Sequence, residues 1–374
     1  MKIKVKYRTS FLISYSVTLS DRIYSMSSVS RRDALKLAGL ALTSAAFSPL
    51  RLPISGDELF QRGSTGRICT DFIYVYSEPD FSSERLSRRT RDRLVSLLEE
   101  LIPESGPAYN PRWYRIPGGY VHSAYVQVVK QLPPNPPLGS IPQSGLLAEV
   151  TVPYTRAQRF TRLGGWHPLY RLYFGSVHWI TGRDEGPDGL AWYRLRDHYV
   201  GVDYHASAAD LRPINPKEYE PLSPDVPPDE KVIHVSIADQ YLSAFEGSQV
   251  VKECQVSTGR PSPPNLPEGA IPSDTPVGNF RIQTKMPSRH MGDGRLTQDL
   301  SAYELPGVPW TMVITDTGVA FHGTYWHDNF GRRMSSGCIN MRNPDALWLF
   351  RWANPLYETN SYFKRESGTL VMIR

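Results

Sequence analysis

Ala320-Phe321-His322-Gly323, followed by Ser335-Ser336-Gly337-Cys338-Ile339-Asn340-Met341, reads as an apolar strand, a loop and a second apolar strand. His322 ends the first strand, and Cys338 stands sixteen residues later in a Ser-Ser-Gly turn. A structural cysteine normally sits inside an apolar run, as Cys254 does in line with Val250 and Val256. Cys69 lies within the first strand of its region and receives the same bland reading. A thiol in a Gly-containing loop is instead a candidate for reactivity. Such a thiol needs a base, because free Cys is only a few per cent thiolate near neutrality. Sixteen residues suffice for a loop to fold back between neighbouring strands, which would bring His322 to Cys338. Gly337 allows close backbone approach, so the amides of Gly337 and Cys338 could face a developing oxyanion.

Upstream, Val232–Ile237 and Tyr241–Phe245 alternate, Glu246-Gly247 makes a turn, and Gln249–Ser257 gives a third strand. Further strands are expected at Asn279–Thr284, Thr311–Thr315 and Gly318–His322. One helix is marked, with Asn343 as cap, Pro344 in the first turn and Asn354-Pro355 as the stop.

The 374 residues exceed one typical domain, and 40% hydrophobic with 21% charged residues excludes wholesale disorder. With 32 Pro and 21 Tyr, the composition favours strands, turns and stiff connectors over a helix bundle. The net charge of +5 is an end effect. Of 42 Lys and Arg, eight fall in residues 1–50 against two acids, leaving 34 basic against 35 acidic residues elsewhere. A nucleic-acid partner is therefore not expected.

Residues 1–50 form a targeting segment. Ser30-Arg31-Arg32-Asp33-Ala34-Leu35-Lys36 precedes an apolar run, Leu37 to Phe47, too short to span a bilayer. The paired arginines resemble the bacterial twin-arginine signal, which implies export to the wall, periplasm or exterior. Ala34 replaces the usual large apolar residue. Met26 just before the motif is the expected true start, and cleavage is expected among Ser44–Ser48.

The chain also repeats itself. Trp113-Tyr114-Arg115-Ile116 with Tyr120-Val121 and Tyr125 returns 79 residues later as Trp192-Tyr193-Arg194-Leu195 with Tyr199-Val200 and Tyr204. The units span 67–130 and 146–214, and the proline-rich 131–145 and 215–230 read as linkers. They resemble the bacterial SH3-like module of cell-wall proteins, in which the Trp strand and the Tyr-Val strand close a small barrel. Packing of that barrel is the favoured role for each Tyr, with a ligand groove as the alternative.

The cysteine region is more specific. His-Gly, a loop of this length and Ser-x-Gly-Cys-φ-Asn-φ resemble the signature of L,D-transpeptidases of the YkuD type. Val256-Ser257-Thr258-Gly259 and Thr275-Pro276-Val277-Gly278-Asn279-Phe280 resemble two further family motifs, and the similarity covers 231–374. The resemblance implies a mainly β protein: two SH3-like barrels, then a β-rich catalytic domain with one short helix after the cysteine. It implies an exported acyltransferase acting on peptidoglycan stem peptides in the cell wall, without a cofactor. Cys338 would attack the donor tetrapeptide at its third residue. His322 would take the thiol proton, or share an existing ion pair, and an acceptor amine would complete a 3→3 cross-link. Gly323, Ser336, Gly337 and Asn340 would support the site. Ser336 replaces the usual His before Gly-Cys, which cannot then carry charge there.

The segment Met286–Pro309 is a candidate lid, with Tyr303 and Trp310 as candidate substrate walls; a long surface loop with core aromatics is the equal alternative. A metal site is not expected. His322, His327 and Asp328 offer ligand types, but no H-E-x-x-H or second cluster accompanies them, and His327-Asp328 reads as solvated loop. Hydrolysis to an L,D-carboxypeptidase product and a non-catalytic wall-binding role are the rival readings.

Overall fold

The computed structural model of the chain describes residues 62, 64–130, 132–358 and 361–374; the expected targeting segment, 1–50, lies outside them. The C-terminal part holds two five-stranded sheets. In the first, β1 (Lys231–Ser236), β2 (Tyr241–Glu246) and β3 (Gln249–Gln255) form the expected meander. Strand order is β3-β2-β1-β10-β4, where β4 is Gly278–Arg281 and β10 is Leu370–Ile373. The second sheet contains β5 (Thr284–Gly292), β6 (Glu304–Val313), β7 (Ala320–Gly323), β8 (Ile339–Met341) and β9 (Lys364–Arg365), in the order β8-β7-β6-β5-β9.

Helix α1 (Asn343–Trp352) packs on β6 and β7. Ile233, Val235, Leu242 and Val371 from one sheet meet Met312, Phe321 and Ile339 from the other, with Leu349, Phe350 and Trp352 of α1 in the same core. The last carbonyls of a helix lack intrahelical donors. Here two buried lysines serve them: Lys285 Nζ donates to the carbonyls of Phe350 and of Ala353, the latter at 2.8 Å, and Lys231 Nζ donates to Trp352 O at 3.0 Å. The helix start differs from expectation. Arg342 occupies the cap position without a side-chain bond, and Asn343 instead donates to Gly175 O at 2.9 Å.

The first N-terminal unit has a three-stranded sheet and a five-stranded one around Ile68, Val75, Leu97, Tyr114, Val121 and Val126. The second is a single seven-stranded sheet around Ala148, Val150, Tyr193, Leu195 and Tyr204. The repeat diverges at the Tyr-Val step. Tyr120-Val121 pairs back on Arg115 and Tyr114, whereas Tyr199-Val200 lies in a turn and forms no strand. The cause is local: Asp197 Oδ1 accepts the amides of Tyr199 and Val200 at 3.0 and 3.2 Å and bends the chain there.

Both proline-rich stretches are docked. Asn135 and Leu138 bond to Ala209 O and the Tyr193 hydroxyl at 2.9 and 2.8 Å. Pro216–Tyr219 forms a 3-10 turn closed by an Asn215/Glu218 capping box, and Tyr219 is buried in the C-terminal core. The units also share a buried ion cluster. Arg67 pairs with Asp92 at 2.9 Å and donates to Tyr325 O at 2.8 Å, and Arg171 pairs with the other Asp92 oxygen.

Candidate active site

β7 and β8 run parallel, with Phe321 opposite Ile339 and His322 opposite Asn340. Side chains alternate along a strand, so Phe321 and Ile339 face the core while His322 and Asn340 share the other face; Cys338 stands in the bend just before β8. Cys338 stands diagonally from His322, two residues before Asn340. Its thiol is free of any disulfide and half-buried.

The loop that presents Cys338 is held from three sides by the quoted motifs. Ser257 exchanges backbone bonds with Asn340 at 2.9 and 2.8 Å, which lays the Ser-Thr-Gly segment along β8. Thr275 Oγ1 accepts from the Gly259 amide and donates to Gly337 O, both at 2.8 Å, tying the Thr-Pro-x-Gly turn to the cysteine loop. Gln240 clasps Thr258 through its side-chain oxygen and nitrogen at 2.8 and 2.6 Å. Gly337 has φ +115°, a conformation in which a side chain would be strained. Gly323 is required for space, since a Cβ there would lie 2.5 Å from Asn343 Oδ1.

The hydrogen bonds settle the proton positions. His322 Nδ1 lies 2.9 Å from Gly323 O, and a carbonyl only accepts, so Nδ1 carries the proton and Nε2 is left as the basic nitrogen. Burial pushes the imidazole down to about 4; the Gly323 carbonyl opposes this and the Arg289 charge adds to it. Burial raises the Cys338 thiol above its ordinary value, against the Ala320 amide and Arg289, which lower it. Thiol and imidazole are thus both neutral near pH 7.

His327 is buried, not solvated, and Asp328 beside it pairs with Arg112 and Arg342 at 3.4 and 3.5 Å. Burial, with the neighbouring His322 and Arg342, pushes His327 down to about 3. Its Nδ1 accepts the Asn329 amide at 3.1 Å, so the neutral ring holds its proton on Nε2, 2.9 Å from the Asn340 amide. Asn340 therefore turns its oxygen to the ring. Its NH₂ then takes the buried position that has no partner among the described residues.

Four expectations change. Ser336 is exposed and makes no hydrogen bond among the described residues; Ser335 shapes the turn, donating to Cys338 O at 2.5 Å and accepting the Gly337 amide at 3.2 Å. That bond removes the Gly337 amide as a free donor, while the Cys338 amide has no acceptor among the described residues. Trp310 is no substrate wall: it is 5% exposed and packs on Phe350 and Tyr219 in the core. Most of Met286–Pro309 is the β5–β6 hairpin, and only 293–303 forms a loop. Tyr303, at the end of that loop, is 57% exposed and lines a cavity of about 320 Å³ with Trp326. Trp326 was not singled out from the sequence; its ring centre lies 5.6 Å from that of His322. No group of three or more His, Cys, Asp or Glu among the described residues could hold a metal ion.

A half-buried thiol in the bend before β8, and a neutral imidazole with a free Nε2 on the neighbouring β7, make a candidate acyl-transfer site. Residues 230–373 match the family model of the L,D-transpeptidase (YkuD) catalytic domain. No curated protein matches the chain. Among solved structures it is similar to an Enterococcus faecium L,D-transpeptidase C442S mutant, at 23% identity over 39% of this chain and 50% of that one, TM-score 0.28. It is similar to Mycobacterium tuberculosis L,D-transpeptidase 1, at 21% identity over 39% of this chain and 62% of that one, TM-score 0.26. It is similar as well to an L,D-transpeptidase from Mycobacterium smegmatis, at 15% identity over 67% and 92%, TM-score 0.29. The chain thus spans half to about two thirds of the first two relatives.

Proposed function

We propose that this protein is an exported L,D-transpeptidase that forms 3→3 cross-links between peptidoglycan stem peptides through a thioester on Cys338. The observation that supports the reading is the pairing of β7 with β8, which sets His322 opposite Asn340, two residues after Cys338, with Nδ1–H held by Gly323 O. Because both groups rest neutral, His322 Nε2 takes the thiol proton as Sγ attacks the third-residue carbonyl, and no ion pair needs to pre-exist. The C–N bond then breaks, and the same proton passes to the leaving amine of the terminal D-residue. The side-chain amine of a second stem attacks the thioester, forming the new amide and returning the thiol. The Cys338 amide and the Asn340 NH₂ are the donors available to the tetrahedral oxygen.

The docked connectors and the shared Arg67–Asp92–Arg171 cluster support N-terminal units that brace the catalytic domain. The Ser30–Phe47 pattern supports export by the twin-arginine route. The test is incubation with a purified tetrapeptide stem. A cross-linked dimer that disappears in Cys338→Ala is expected. Free tripeptide alone would make the protein a carboxypeptidase, and the absence of turnover by the intact chain would overturn the reading.

A further inference from the structure

Between the second N-terminal unit and β5–β6 lies a cavity of about 530 Å³, lined among others by Arg289, Val313, Gly318 and Arg365. The Arg289 and Arg365 guanidinium groups form no hydrogen bond or ion pair among the described residues, and Asp316 also lines the cavity. The other acid in the wall, Asp197, is already committed to His290 at 2.6 Å. Arg196 is paired with Asp203 at 3.1 Å. The cavity is therefore cationic, with its free charge on the catalytic sheet.

Arg289 reaches the turn that leads into β7. Its Nη2 lies 3.8 Å from where a Cβ on Gly318 would stand, two residues before Ala320, the first residue of β7, and its charge acts on the Cys338 thiol. Its charge also reaches His322. In an L,D donor the scissile carbonyl is followed only by the nitrogen and Cα of the terminal residue before the chain ends in a carboxylate. Consecutive Cα atoms are about 3.8 Å apart, so that carboxylate sits within one residue of the bond that Cys338 attacks.

We infer that Arg289 binds the terminal carboxylate of the donor stem and so selects stems that end one residue beyond the cleaved bond. The inference rests on the function proposed above. A guanidinium takes a carboxylate through two parallel N–H bonds, which an ammonium does not reproduce. A longer stem would place a neutral amide against Arg289 and lose the charge-assisted contact.

The test uses the full chain carrying Cys338→Ala, which binds without turning over, titrated calorimetrically with three tetrapeptides. These are the free acid, its C-terminal carboxamide, and a free acid amidated at the side-chain carboxyl of the third residue. The acid should bind about 10- to 100-fold more tightly than the C-terminal amide. Adding Arg289→Gln should reduce acid binding to that of the amide, and Arg289→Lys should restore part of the difference. Equal binding of acid and C-terminal amide overturns the inference, as does a preference that survives Arg289→Gln. A loss confined to the side-chain amide would assign Arg289 to that carboxylate instead, and also overturns it. Turnover of a tetrapeptide by the intact chain, run alongside, separates failure of this inference from failure of the proposed reaction. Melting temperatures of the Arg289 variants exclude misfolding as the cause.

Discussion

The same β sheet buries two histidine groups and keeps them in opposite charge states. His322 and His327, on β7 and the loop after it, face a backbone carbonyl, a backbone amide and the Asn340 amide, and burial drives both toward the neutral form. His290, on β5, has a carboxylate at each nitrogen: Asp197 of the second N-terminal unit and Glu304 at the start of β6, both at 2.6 Å. Both ring nitrogens must donate there, so the ring is an imidazolium, and the two carboxylates raise it against the opposing effect of burial. Equal burial does not set the proton; the partners do. Neutral His322, with Nε2 free, can accept a proton from a thiol, whereas the charged ring can only hold three elements together.

The largest expected effect breaks the neutral group. His322→Gln removes the basic nitrogen and should slow thioester formation by about 10²- to 10⁴-fold, followed by intact-protein mass against a stem peptide. Its urea midpoint should move little, because no charge is left unpaired. His290→Leu should behave the opposite way. It leaves Asp197 and Glu304 buried without their cation, which costs about 3–5 kcal/mol in urea unfolding. If His290→Leu is as stable as the parent, the imidazolium assignment fails.

The pH dependence of stability sharpens the same contrast by sign. His322 and His327 titrate lower in the folded chain than the ordinary value near 6.5, so the unfolded chain binds more protons below that pH. Their contribution is complete above about pH 6.5 and is lost as pH falls toward 4 and 3. His290 titrates higher when folded, so its contribution is complete below about pH 6.5 and is lost as pH rises through the folded value. Urea unfolding across pH should therefore show an acid loss that persists in His290→Gln and an alkaline loss that disappears. An unchanged alkaline limb in that variant would show that another group sets it.

The two regions also differ in how far they could be read from the chain. His322 and Cys338 were legible because each closes or opens a short apolar strand and the intervening loop is local. His327 was not, since Asp328 and Asn329 beside it look solvated and its burial comes from Phe330 and Asn340. Trp310 reads as a candidate substrate wall because it adjoins the expected lid; its left-handed backbone, φ +57°, interrupts the period-two alternation of β6, which otherwise would mark it as core. Pro287, Pro306 and Pro309 similarly hid the β5–β6 hairpin inside an expected lid. Asn343 has the chemistry of a helix cap, but its amide is drawn to Gly175 of a distant strand turn, a partner that no local pattern announces. The His290 group joins residues 93 and 14 positions apart and left no local signal at all.

The smallest expected effect lies between these extremes, in the turn that aims the thiol. Ser335 uses one hydroxyl twice, donating to Cys338 O and accepting the Gly337 amide, while its backbone bridges to Gly259. Ser335→Ala removes both side-chain bonds but keeps that bridge, so the cost should be about 0.5–1.5 kcal/mol of stability. The loop would still fold, because Thr275 continues to hold Gly337 O. What changes is the freedom of the Gly337 amide, which loses its acceptor and becomes a second donor beside that of Cys338. Thioester formation in Ser335→Ala should therefore fall less than fivefold, within about 1 kcal/mol of the parent. A loss as large as that of His322→Gln would mean that Ser335 acts on the reacting atoms themselves, and the division between a proton-handling face and a loop that only positions it would no longer hold.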